Sequence, residues 1–105
     1  MSEKRWKATE RHIARLLGGR RVPVSGRGRG DSPDIAHPRF SIECKDRATL
    51  PAWLLDALSQ AEASAAPAQL PIAVLHRAGD RHNQALVVLR LADFVAWCGE
   101  SPEAA

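Results

Sequence analysis

The chain has 105 residues, 45% of them apolar and 26% charged, the balance of a globular domain and not of a disordered or fibrous chain. No apolar run nears the roughly 20 residues of a membrane helix, and the opening Met-Ser-Glu-Lys-Arg-Trp-Lys lacks the apolar stretch of a secretory signal, so a cytoplasmic location is expected. The net charge of +3 is uneven: residues 1–47 hold twelve Lys/Arg against six Asp/Glu, and the remainder three against six. A basic first half suits a phosphate-bearing partner, although a solvated charged surface would look the same.

The first expected element is a helix over 6–17, with Trp6, Ile13, Leu16 and Leu17 on one stripe and Gly18-Gly19 closing it. Glu10 falls on that stripe, where a carboxylate must snorkel, pair or face a polar pocket. A short strand is expected over 21–24, kept to an edge by Pro23, followed by a glycine-rich loop over 25–32. Residues 34–36 and 40–45 read as two strands joined by a turn at His37-Pro38. In the second, Phe40, Ile42 and Cys44 alternate with Ser41, Glu43 and Lys45.

Thr49 and Pro51 mark the start of a second helix over 53–63, and 64–70 is a linker of small residues. Strands over 72–76 and 85–90 follow, the latter apolar enough to suggest cover on both faces. A helix over 91–97 closes the order αβββαββα. The expectation is a single α/β (α+β) domain over 1–100, a mixed sheet flanked by helices, with a frayed tail at 101–105. Cys44 and Cys98 form no C-x-x-C pair and read as free thiols.

The chemistry concentrates in Asp34 through Lys45. Alternate strand residues share a face, so Glu43 and Lys45 point the same way, roughly 6.6 Å apart along the chain. If the Asp34 strand pairs with theirs, two carboxylates and an ammonium converge. Such a set suits phosphodiester hydrolysis: carboxylate oxygens hold Mg²⁺, the metal polarises phosphate and acidifies a water, and a lysine orients that water or offsets charge on the phosphate. The bland alternative is a surface Glu-Lys pair with Asp34 capping a turn. Arg20, Arg21, Arg27 and Arg29 suit DNA phosphate contacts, against a disordered solvated loop.

Other residues carry less. His12, His37, His76 and His82 lack zinc spacing with either cysteine, and Gly26-Arg-Gly-Arg-Gly30 lacks the spacing of a dinucleotide fingerprint. His76 and Arg77 could line a DNA groove. Trp6, Trp53 and Trp97 read as core or interface, and with no Tyr and two Phe an aromatic single-strand surface is not expected.

Pro33-Asp34 followed by Glu43-Cys44-Lys45 resembles the signature of the PD-(D/E)xK nuclease superfamily, and more narrowly archaeal and phage Holliday-junction resolvases and related phage endonucleases. The resemblance spans residues 10–94. It implies a restriction-endonuclease-like core and a Mg²⁺-dependent endonuclease, with Mn²⁺ able to substitute, acting on branched DNA as a homodimer in a bacterial or phage-infected cell. In its terms Asp34, Glu43 and the backbone carbonyl of Cys44 are metal ligands, Lys45 assists, and Glu10 supports the metal site. Ser25 would lie near the scissile phosphate, and Gln60 would match a glutamine of the following helix. The competing expectations are a nuclease of the same fold acting on duplex, nicked or flap DNA, and a basic DNA-binding module without catalysis.

Overall fold

The structure, a computed structural model, describes residues 4–22 and 34–98. The expected glycine-rich loop, Pro33, the end of the 21–24 strand and the tail at 101–105 lie outside the described residues. Among the described residues the fold is α+β, with three helices and two small antiparallel sheets, and the chain divides into two compact units at Arg47 and Ala48. Among the described residues no helix is long and apolar enough to cross a membrane.

In the first unit, helix α1 (Arg5–Leu17) buries Glu10 and Ala14 and half-buries Trp6, Ile13 and Leu17. Leu16, expected on the same stripe, is instead exposed. It lies three positions after Ile13 but only one before Leu17, and the covered face follows Trp6, Glu10, Ala14 and Leu17. Gly18 ends the helix at φ 77°, in the left-handed region, and Gly19 N–H returns to the Ala14 carbonyl at 2.8 Å. The ring of His37 adds a second closure: Nδ1 accepts from the Arg39 N–H at 3.0 Å, so the neutral ring carries its proton on Nε2, which donates to the Leu17 carbonyl at 3.0 Å.

Strand β1 (Arg20–Arg21) pairs antiparallel with β2 (Ile35–Ala36), Arg20 opposite Ala36 and Arg21 opposite Ile35, and α1 packs on both. Ile35 is 0% exposed and is the centre of this unit. Across β2 from β1, residues 40–46 pair, among the described residues, through a single bridge, Ile35 to Ile42. The expected strand over 40–45 stops there because the next donor, the Cys44 N–H, is taken by the Asp34 side chain and not by a backbone carbonyl. The expected alternation survives: Phe40, Ile42, Cys44 and Asp46 are half-buried, while Ser41, Glu43 and Lys45 are exposed.

In the second unit, helix α2 (Ala52–Ser64) buries Leu58 and packs on strand β3 (Ala73–Leu75). Strand β4 (Leu86–Val88) pairs antiparallel with β3, Val74 opposite Val87. Leu86 and Val87 are exposed, so the expectation that this strand is covered on both faces does not hold. Each strand of a two-stranded sheet is an edge, and here only one face has a helix to cover it. A single mixed sheet is likewise not what the strands form; they make two separate two-stranded antiparallel sheets. Helix α3 (Leu91–Cys98) follows directly, and Arg90 grips Glu62 of α2 with Nε at 2.9 Å and Nη2 at 3.2 Å.

Three tests follow from this geometry. A Cβ on Gly19 would stand 2.6 Å from the Ala36 carbonyl oxygen and 2.7 Å from Ile35 Cγ2, so Gly19→Ala should cost about 2 kcal/mol in denaturant unfolding. Gly18→Ala, with open space but positive φ, should cost about 1 kcal/mol. The Arg90 hydrogen bond holds the Glu62 carboxyl below the usual range, so the pair's contribution is present above that range and lost as pH falls through the depressed folded value. The stability gap between wild type and Arg90→Ala should therefore be greatest at neutral pH, begin to shrink as pH falls past the ordinary glutamate value of about 4.3, and close only below the depressed folded value.

Candidate functional site

Asp34 opens the site. Only 4% exposed, it precedes β2, where its backbone N–H donates to the Ile42 carbonyl at 2.9 Å and its carbonyl accepts from the Val22 N–H at 2.9 Å. Its Oδ2 accepts from the Cys44 N–H at 2.6 Å. The Asp34 carboxylate therefore sits against the Glu43–Cys44 peptide, and a charge-assisted bond offsets part of the cost of burying it.

Glu10, 6% exposed, resolves its awkward place on the apolar stripe by pairing: Arg21 Nε donates to Oε1 at 2.9 Å. The Arg21 guanidinium also lies over the Trp6 ring, 5.6 Å from its centroid. Arg21, offered to phosphate by its neighbours in the sequence, is held inward by Glu10. Arg20 is exposed on β1 beside a shallow depression formed with Gly18, Gly19 and His37.

Glu43 and Lys45 are exposed, and among the described residues neither makes a hydrogen bond or ion pair. Lys45 thus points to solvent and not into the interior. The thiol of Cys44 reports what surrounds it: burial pushes it up, and the negative charges of Asp34, Glu10 and Glu43 push it further. Three carboxylates from α1, the start of β2 and the 40–46 segment thus act on one sulfur. Among the described residues no three His, Cys, Asp or Glu side chains stand close enough to form a complete ligand set by themselves. Asp34, Glu43 and the Cys44 carbonyl are hard oxygen donors, the type a Mg²⁺ that retains several waters and takes substrate oxygens would use.

Ser25, Arg27 and Arg29 lie outside the described residues. Gln60 is exposed on α2 in the second unit. Asp46, not singled out from the sequence, accepts from Arg5 Nε at 2.9 Å and Thr9 Oγ1 at 3.1 Å and so ties the 40–46 segment to α1. The signal for it was present: the alternation that turns Ile42 and Cys44 inward turns Asp46 inward too. Trp53 and Trp97 are exposed and not core.

No protein-family model matches this chain, and no match is found among curated proteins or among solved structures. The functional reading rests on these residues alone.

The carboxylate field around Cys44 can be measured without any substrate. Alkylation at about pH 8, followed by mass spectrometry, should label exposed Cys98 first and Cys44 at least severalfold more slowly. Asp34→Asn should speed Cys44 labelling while leaving it slower than Cys98, since burial is the larger cause.

Proposed function

We propose that the chain is a metal-dependent DNA endonuclease of the PD-(D/E)xK type, with a restriction-endonuclease-like arrangement around its site, acting on branched DNA such as a four-way junction. The observation that carries this reading is the Asp34 carboxylate held on the Cys44 N–H, with exposed, unpaired Glu43 and Lys45 on either side of that residue. A surface Glu-Lys pair that merely decorates a strand needs no buried aspartate behind it.

In this reading Asp34 and Glu43 supply carboxylate oxygens, and the Cys44 carbonyl a neutral one, to Mg²⁺ or Mn²⁺. A cation held there supplies charge neutralisation at the phosphate and lowers the pKa of a bound water. Lys45 offsets charge that develops on the phosphoryl oxygens or holds the attacking water. Glu10 is a positioning residue: its pair with Arg21 ties α1 to β1 beside the site. The phosphate backbone is drawn by the basic first half, with Arg20 exposed on β1. A four-way junction calls for two symmetric cuts, which favours a homodimer.

The test is cleavage of labelled junction, flap and duplex DNA at one salt concentration, with Mg²⁺, Mn²⁺ or chelator. Junction cleavage that needs metal is expected, and Asp34→Asn, Glu43→Gln and Lys45→Ala should each lower it roughly 10²-fold or more while DNA binding persists. Cutting that survives all three substitutions removes these residues from the mechanism. Binding untouched by metal, with no cutting of any substrate, would leave a basic DNA-binding module in its place.

A further inference from the structure

The second unit carries a groove that the endonuclease reading does not use. It encloses roughly 710 Å³ between the first turn of α2 and the turn joining β3 to β4, a volume typical of small-ligand sites. Its apolar lining includes the indole of Trp53, 62% exposed, and Leu86. Its polar lining comes from the 76–84 turn. There Arg77 is committed to Asp80 through two bonds of 3.0 and 3.2 Å, and His76 Nε2 donates to the Asp80 carbonyl at 2.9 Å while its ring stacks on His82 at 4.9 Å.

These contacts make the turn rigid and leave two side chains over. Among the described residues the Arg81 guanidinium and the Gln84 amide make no hydrogen bond or ion pair. The lining thus offers a planar aromatic face, a free cation and an amide carrying both a donor and acceptors. Two arginines against Asp80 leave the groove positive.

We infer that this groove binds an unpaired nucleotide of a DNA strand, its base stacked on Trp53 and its phosphate at Arg81. Stacking needs a flat exposed ring with room for a base beside it, which the indole provides without rearrangement. Arg81 supplies the forked donor that phosphate oxygens favour. Gln84 can meet the edge of a base, which carries donors and acceptors side by side. An uncharged apolar partner would leave the arginine and the amide unused. The inference rests on the DNA reading above, since branched DNA presents unpaired or unstacked bases where a continuous duplex does not.

The experiment uses the full chain carrying Asp34→Asn, without metal, so that binding is read apart from cutting. With Trp6→Phe and Trp97→Phe, Trp53 is the remaining indole, and short oligothymidylate should quench its fluorescence. Trp53→Ala should weaken oligothymidylate binding roughly tenfold, and Trp53→Phe less. Arg81→Ala should lower the affinity and reduce the salt slope by about one. Binding of fully paired duplex should be unchanged by any of these. Equal binding by Trp53→Ala and the parent, or unquenched Trp53 at saturation, overturns the groove assignment. So does thymidine monophosphate binding as tightly as the oligonucleotide. The two readings fail separately: metal-dependent cleavage with no effect at Trp53 removes only the groove, whereas Trp53-dependent strand binding with no cleavage removes only the nuclease.

Discussion

The hydrogen bonds of Asp34 hold the first unit together. Its carbonyl takes the Val22 N–H, its own N–H goes to the Ile42 carbonyl, and its side chain takes the Cys44 N–H. One residue thus links the segments on both sides of β2, where Ile35, fully buried, forms the centre. A carboxylate is costly to bury, and what makes it tolerable here is a backbone donor aimed at it. The same bond places the acid against Cys44 and so between Glu43 and Lys45. In the proposed function structural and chemical roles fall on one side chain, which is why asparagine, still an acceptor of similar shape, is the informative replacement and alanine is not.

Electrostatic balance around that residue follows from the partners each acid has. Glu10 is neutralised by Arg21, which the Trp6 ring also holds. Asp46 is answered by Arg5 and Thr9. Glu43 has no such partner among the described residues, and its exposed neighbour on the same face is Lys45. Negative charge is therefore compensated where it supports packing and left open at Glu43, the position that the proposed function assigns to a cation. Burial first, and then the charges of Asp34, Glu10 and Glu43, raise the Cys44 thiol, which stays an unreactive filler of the inward face.

The second unit solves a different problem. A two-stranded hairpin is marginal by itself, and α2 on β3 together with the Glu62–Arg90 clasp supplies its support. One face of the strands remains apolar and exposed at the facing pair Val74 and Val87. The turn beyond them is braced internally by Asp80, and that bracing is what leaves Arg81 and Gln84 available beside Trp53.

Much was legible in the chain before any coordinates. Apolar spacing marks α1 and α2 to within a residue or two, glycine pairs mark the end of α1, and the alternation over 40–45 assigns Glu43 and Lys45 to solvent and Cys44 inward. These are local properties, set by backbone periods of 3.6 and 2 residues. The partners were not legible. Arg21 turning to Glu10, Asp34 capturing the Cys44 N–H, and Asp46 reaching Arg5 span 11, 10 and 41 positions. The exposure of Leu86 and Trp53 likewise depends on what packs nearby and not on their own hydrophobicity. Sequence alone determined which residues could do chemistry and which way a strand would turn them; tertiary structure decided which charges are neutralised and which stay open, because pairing depends on distances that folding alone creates.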